Sequence, residues 1–150
     1  LDELFRNHRE RTGQGILAKK GDYDRLQEIL AGNGVVATLA DQDAGQRGLF
    51  VNYFGQPAST HKAVALLALE FGVPMAVIGV RKVGDPIRYE NICADVILPE
   101  EFVDSPDAVK AITQRFTSAL ERIVRSAPEQ YFWLHRRWKH QPKAARRSAA

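Results

Sequence analysis

Cysteine is almost absent from this sequence: Cys93 is the only one among 150 residues. A single cysteine excludes an intrachain disulfide and favours a reducing compartment, the cytosol or the cytosolic face of a membrane. Cys93 lies in a strand-like stretch without a neighbouring histidine, so we expect a small buried side chain there rather than a nucleophile.

A long apolar run is missing too. The longest weakly charged stretch, residues 63–80, contains Glu70 and is interrupted by Gly72 and Pro74. This pattern indicates a buried helix followed by a buried strand, not a membrane span. Histidine and cysteine do not occur at metal-ligand spacing, so we expect no metal and no other cofactor. Because the chain opens with Leu1 in a charged, helix-like stretch, we expect the C-terminal part of a longer protein.

Positive charge is concentrated at one end of the chain. Residues 1–128 contain 15 Lys and Arg against 17 Asp and Glu, a net charge of −2, whereas residues 129–150 contain six against one, a net charge of +5. Aromatic and basic residues mix over residues 131–140, which suits an anionic membrane interface or, alternatively, nucleic acid. We expect residues 1–142 to belong to one domain and residues 143–150 to be a disordered basic tail.

Apolar periodicity and turn residues predict an α/β fold. The predicted helices cover residues 1–11, 22–31, 61–71 and 105–127, and the predicted strands cover residues 34–40, 49–54, 73–80 and 88–98. Ser59 or Thr60 is expected to cap the third helix, and Ser105 the fourth. We expect a mostly parallel or mixed sheet flanked by helices, in which the last two strands can form a hairpin.

Asp41, Gln42 and Asp43 follow the predicted strand over residues 34–40. Ligands of open α/β sheets bind at the carboxyl ends of strands, so these side chains could bind a hydroxylated substrate, orient a histidine or hold an arginine. The structural alternative is that Asp41 caps the strand and Asp43 pairs with Arg47 in a solvated turn. Spacing alone favours this alternative, because aspartate is a common turn residue.

Four segments resemble those of one family in their order and spacing. They are Asp41–Asp43 (DQD), Phe50–Gly55 (FVNYFG), Pro57–Thr60 (PAST) and Pro128–Lys139 (PEQYFWLHRRWK). The chain resembles the bacterial lipid A biosynthesis acyltransferases, the late lauroyl- or myristoyl-type enzymes, over residues 1–142. The resemblance implies a glycerolipid-acyltransferase-like fold, of which this chain holds an incomplete domain.

The resemblance also implies a function for the full-length protein. A fatty acyl group would pass from an acyl carrier protein or CoA thioester to a hydroxyl of a lipid A precursor or similar glycolipid. The expected location is the cytoplasmic face of the inner membrane, either peripheral or anchored through a missing N-terminal segment. The expected partners are therefore the thioester donor, the glycolipid acceptor and the membrane surface.

The wider family activates the acceptor hydroxyl with a histidine that has an acidic residue five positions later. None of the four histidines of this chain has such a partner. No catalytic residue is therefore identifiable, and we expect the chain alone to be inert. By resemblance, Asp41, Gln42 and Asp43 form an acidic edge that orients a catalytic histidine or binds the sugar acceptor, with Asp41 and Asp43 as supporting catalytic candidates.

Two basic pairs have implied roles in binding substrate. Arg9 and Arg11 resemble a pair that faces the thioester oxygen or a lipid phosphate. Arg136 and Arg137 resemble a pair that meets phosphate groups of the acceptor or the bilayer, which guanidinium groups bind well.

Two other functions are compatible with the sequence. The first is acylation of another lipid, such as a phosphatidylinositol mannoside. The second is a non-enzymatic module that binds a membrane or nucleic acid through the basic C-terminus. A basic end alone is a weak signal, so we favour the acyltransferase and expect no nucleic-acid partner.

Overall fold

The computed structural model describes residues 8–18 and 21–142. They belong to two compact units that divide between Ala37 and Thr38. In the first unit, residues 8–10 are helical and helix α1 spans Tyr23–Ala31. Gly32 ends α1, as the sequence predicts. The start of the predicted helix over residues 1–11 lies outside the described residues, as do residues 143–150, the predicted basic tail.

The second unit combines short strands with two helices, which confirms the mixed α/β class. Its elements in order are β1 (Leu49–Tyr53), β2 (Gln56–Thr60), α2 (Ala63–Phe71), β3 (Met75–Val83), β4 (Arg88–Ile97) and α3 (Ala108–Ser126). Single 3₁₀ turns at Pro99–Phe102 and Pro128–Gln130 precede and follow α3. Within residues 8–18 and 21–142, no helix has both the length and the apolar character needed to cross a membrane.

Both pairs of strands are antiparallel, so the prediction of a mostly parallel or mixed sheet is wrong. Strand β1 pairs with β2, with Leu49 opposite Thr60, and β3 pairs with β4, with Met75 opposite Ile97. Each pair is joined by a turn of only a few residues. A parallel pair needs a crossover of a dozen or more residues, whereas a tight turn returns the chain beside itself. The predicted hairpin of β3 and β4 is confirmed.

The predicted buried strand over residues 34–40 is also wrong. The backbone there is irregular, and no strand in the described part of the chain pairs with it. Val35 is 92% exposed and Leu39 is 74% exposed. An apolar run becomes a buried strand only when a neighbouring strand satisfies its backbone groups and another layer covers its side chains.

Three local predictions require correction. Ser59 and Thr60 do not cap α2, because they pair with β1 as the end of β2. Helix α3 begins two residues later than predicted, where the Asp107 side chain accepts a hydrogen bond from the Lys110 N–H at 3.0 Å. Cys93 is exposed, because it lies opposite Ile78 on the open face of the β3–β4 hairpin, and paired residues share one face.

The hydrophobic core lies between α3, α2 and one face of the β3–β4 hairpin. It is formed by Ala65, Val77, Ile97, Ile112, Phe116 and Ala119. The predicted apolar stripe of α3 is confirmed, since Val109, Leu120 and Ile123 pack against this core beside Ile112 and Phe116. The helix therefore fixes both hairpins, because it also contacts β1.

The β1–β2 hairpin turns through Phe54 and Gly55, which both have positive φ angles of 53° and 78°. Such a two-residue turn follows the right-handed twist of the strands, but phenylalanine rarely adopts this conformation. Two side chains hold the turn: Asn52 Oδ1 accepts from the Gly55 N–H at 2.8 Å, and Glu121 accepts from the Phe54 N–H at 2.7 Å.

Candidate functional site

The loop formed by residues 41–48 contains the DQD segment and lies against strand β2. The Ala44 N–H donates to the Ser59 carbonyl at 3.2 Å, and the Ser59 hydroxyl donates to the Gly45 carbonyl. A side chain at Gly48 would collide with the Ser59 hydroxyl and would approach Ala44 Cβ to 2.7 Å. The absence of a side chain at Gly48 is therefore what allows the loop to lie so close to the strand.

Asp43 joins this loop to the C-terminal segment, residues 128–142. Its backbone N–H donates to His135 Nε2 at 2.9 Å, and its Oδ2 lies 2.6 Å from His140 Nδ1. Oδ2 also accepts from the Gly45 N–H at 3.1 Å. The Asp43 side chain is only 8% exposed. Its second oxygen, Oδ1, is buried without a hydrogen-bond partner among the residues that the structure describes.

These contacts determine the ionisation of Asp43. Burial alone would raise the pKa of its carboxyl group, but the hydrogen bonds with His140 and Gly45 and the electrostatic attraction of His140 and Arg137 outweigh burial and lower the pKa. A carboxylate can only accept hydrogen bonds, so Nδ1 of His140 carries the proton in this pair.

Arg137 anchors the C-terminal segment to β2. The residue is 2% exposed, and its guanidinium donates to the Ser59 carbonyl at 2.5 Å and to Thr60 Oγ1 at 2.7 Å. It also lies over the Tyr53 ring, 5.3 Å from the centroid. Burial lowers the pKa of Arg137, although arginine begins so far above neutrality that it stays charged. Arg137 therefore has a structural role, while its role as a phosphate ligand stays a prediction.

Aromatic rings fill the space beside this anchor. Trp138 stacks on Tyr53 with centroids 5.7 Å apart, and Phe54 contacts Tyr53, Trp133 and Trp138 edge to face. The Tyr53 and Tyr131 hydroxyls are buried, and neither makes a hydrogen bond of ordinary geometry within the described ranges. Burial raises the pKa of Tyr53, and the adjacent Tyr131 hydroxyl adds to this rise.

The predicted site residues differ in their exposure to solvent and in the part of the chain where they lie. Asp41 is partly buried and Gln42 and Arg136 are exposed, all on the loop or segment that Asp43 joins. The charge of Asp41 lies close enough to contribute to the raised pKa of Tyr53, after the larger effects of burial and Tyr131. Arg9 and Arg11 are exposed in the first unit. Their predicted role is not tested by this arrangement.

Sequence reasoning missed His135 and His140 as members of the site. It considered only acidic residues five positions after a histidine, whereas Asp43 precedes these two histidines by 92 and 97 residues. The structural alternative for Asp43, an ion pair with Arg47, is not formed, because the carboxylate bonds His140 instead. A signal was nevertheless present, since PEQYFWLHRRWK was the most specific of the segments that resembled one family, and DQD was one of the three segments that supported it.

Comparison with known proteins identifies the family to which this chain belongs. The sequence profile of the bacterial lipid A biosynthesis acyltransferases matches residues 1–140, so this chain belongs to that family. A curated relative, the lipid A biosynthesis lauroyltransferase of Escherichia coli (strain K12), is 30% identical over 145 residues. The match covers 95% of this chain but 46% of that enzyme, so the chain spans less than half the length of the relative.

Proposed function

We propose that this chain is part of an enzyme that transfers a fatty acyl group from a thioester of acyl carrier protein or CoA to a glycolipid hydroxyl. The acceptor is a lipid A precursor or a similar glycolipid, and the reaction takes place at the cytoplasmic face of the inner membrane. Membership of the acyltransferase family and the name of the E. coli relative support this proposal.

One observation carries the proposal for the site: Asp43 connects two of the four segments that resemble the family. Its backbone and carboxylate bind His135 and His140 at 2.9 and 2.6 Å. This arrangement fixes the position of both imidazole rings. Asp41, Gln42 and Arg136 are close in sequence to Asp43 and His135, and their side chains can bind a polar ligand. Sugar hydroxyls and phosphates are groups that carboxylates, amides and guanidinium groups bind.

The chain supplies the acceptor side of the reaction in this proposal. Asp41 accepts hydrogen bonds from the sugar hydroxyls, and Gln42 both accepts and donates them. Arg136 contacts a phosphate, and Asp43 positions the histidines. The base that deprotonates the acceptor hydroxyl belongs to another part of the full-length enzyme, because no histidine here has an acidic residue five positions later. The 150-residue chain alone is therefore inert.

Substitution of Asp41 in the full-length enzyme tests the site. We expect Asp41→Asn to lower turnover by roughly two orders of magnitude, because positioning of the acceptor is lost while folding is unaffected. Turnover is measured with an acyl carrier protein thioester and a lipid A precursor, and products are identified by mass spectrometry. Asp104→Asn is the matched control, since Asp104 is an exposed acid in the connection before α3.

Two results would contradict the proposal. Unchanged turnover in Asp41→Asn would show that Asp41 is only a turn residue and does not bind the acceptor. Acylation of a phosphatidylinositol mannoside in preference to the lipid A precursor would show that the proposed acceptor is wrong, although the proposed acyl transfer would stand.

A further inference from the structure

Three consecutive apolar side chains of the C-terminal segment are exposed to solvent. Phe132 is 67% exposed, Trp133 is 49% exposed and Leu134 is 84% exposed. Their neighbours Tyr131 and His135 are partly buried and face the site. Large apolar side chains are individually common on protein surfaces, but three in a row on a short loop form a patch that indicates a binding surface.

The loop that carries this patch has an ordered backbone. The Trp133 N–H donates to the Tyr131 carbonyl at 2.9 Å, and the His135 N–H donates to the Phe132 carbonyl at 3.1 Å. The indole N–H of Trp133 donates to the Pro128 carbonyl at 2.7 Å. Because these donors are satisfied inside the protein, transfer of the loop into a less polar environment would not leave them unpaired.

Basic residues surround the apolar patch. Arg136 and Lys139 follow it within five positions, and both are exposed. The region from residue 129 to residue 150 has six basic residues and one acidic residue, a net charge of +5. Apolar and aromatic side chains flanked by Lys and Arg match the interface of an anionic bilayer, where acyl chains and phosphates lie a few ångströms apart.

We propose that residues 132–134 are a membrane-docking loop that inserts Phe132, Leu134 and the exposed edge of Trp133 among the headgroups of an anionic bilayer. The other edge of the Trp133 ring stays packed against Phe54 and Tyr131. Arg136 and Lys139 bind lipid phosphates at the same time. Because Tyr131 and His135 flank the loop, docking would bring the Asp43 site close to the lipid surface. The inference is independent of the acyl-transfer proposal, since docking can be measured without any turnover.

Vesicle co-sedimentation of the 150-residue chain tests the apolar contribution. We expect binding to phosphatidylglycerol-containing vesicles, and at least about tenfold weaker partitioning for Phe132→Ser/Leu134→Ser, because two large side chains then lose their burial. The matched control is Ile78→Ser/Val80→Ser, which changes two residues that are more than half exposed on the open face of the β3–β4 hairpin. This control should partition like the natural chain.

The charge contribution has its own pair of variants. Arg136→Gln/Lys139→Gln should weaken binding to anionic vesicles roughly fivefold for each charge removed, and added salt should weaken the natural chain. Lys62→Gln/Lys110→Gln removes the same charge from exposed positions elsewhere in the second unit and should have a much smaller effect. Vesicles of phosphatidylcholine alone should bind all these variants weakly.

The two tryptophans of the chain report which part enters the bilayer. Trp138→Phe leaves Trp133 in the docking loop as the only tryptophan, and Trp133→Phe leaves Trp138, which stacks on Tyr53. We expect brominated lipids to quench Trp133 strongly and Trp138 little. This measurement separates docking of the loop from unspecific adsorption of an unfolded chain, in which both would be quenched equally.

Three outcomes would overturn the proposal. One is equal quenching of the two tryptophans. Another is full vesicle binding by the Phe132→Ser/Leu134→Ser variant. The third is self-association without lipid that this variant abolishes, since the patch would then be an interface between two copies of the chain.

Discussion

At the scale of single residues, Asp43 has the clearest effect on the stability of the site. It is almost fully buried, yet its pKa is lowered, because two hydrogen bonds and the electrostatic attraction of His140 and Arg137 outweigh the effect of burial. A side chain in this position links the stability of the site to pH. Its folded pKa lies below the value of an unfolded aspartate, so its contribution is complete above about pH 4 and is lost as the pH falls through the folded pKa.

We therefore expect Asp43→Asn to lower the free energy of unfolding by about 2 kcal/mol at neutral pH, since a charged hydrogen bond is lost from a buried position. The difference from the natural chain should shrink as the pH falls below about 4. Urea unfolding at pH 7 and pH 3 measures both values. Asp104→Asn should show no comparable difference at either pH, and an Asp43→Asn difference that is constant with pH would contradict the assignment.

At the scale of secondary-structure elements, the β1–β2 turn shows how packing overrides local preference. Phe54 keeps a left-handed backbone conformation because its ring packs against Tyr53, Trp133 and Trp138 and lies 4.7 Å below the Arg125 guanidinium. Phe54→Ala would remove the ring and keep the strained conformation. The element thus depends on contacts that come from distant parts of the sequence.

We expect Phe54→Ala to destabilise the chain by about 3 kcal/mol, because an aromatic contact is lost without relief of the backbone. Chemical denaturation followed by circular dichroism gives the value. Tyr89→Ala on β4, where the ring is mostly exposed, is the control, and its effect should stay within about 0.5 kcal/mol. Similar losses for both variants would mean that the ring of Phe54 does not stabilise the turn.

The elements themselves were largely foreseeable from the sequence, and their pairing was not. Helical spacing of Ile112 and Phe116 predicted α3, and the turn residues after Val83 predicted the hairpin of β3 and β4. Periodicity does not reveal which elements become neighbours, so the apolar run over residues 34–40 was assigned to a strand that has no partner here. Cys93 was assigned to the interior for the same reason.

At the scale of the whole molecule, the chain consists of two units that meet in sequence at an exposed, irregular segment. Residues 34–40 form neither helix nor strand, and Val35 and Leu39 are mostly exposed. Proteases cleave such segments most readily, because the chain can enter an active site without unfolding of a packed element.

We expect brief digestion with a protease that cleaves after small apolar residues to cut residues 34–40 before any other part of residues 21–142. Mass spectrometry identifies the cut, and hydrogen exchange follows the larger fragment. Amide protection in β3, β4 and α3 should be unchanged in that fragment, since their core lies entirely within the second unit. Loss of that protection on cleavage would show that the second unit depends on the first.

The resemblance to a family selected only some of the residues around Asp43. The DQD segment and the basic pair were selected because they resemble a family, whereas the histidines that Asp43 binds were not selected. A contact between residues almost a hundred positions apart leaves no periodic trace in a single sequence. Only the fold brings such residues together.

Because of this separation along the chain, the two halves of the site are synthesised at different times. A ribosome synthesises Asp43 and both hairpins well before it reaches His135, Arg137 and His140, and domains fold as they emerge. The carboxylate of Asp43 therefore stays hydrated until His135, Arg137 and His140 have been synthesised. A stop codon after Leu134 would leave β1 to β4 and α3 complete in the nascent chain, yet no copy of that shortened protein could assemble the site.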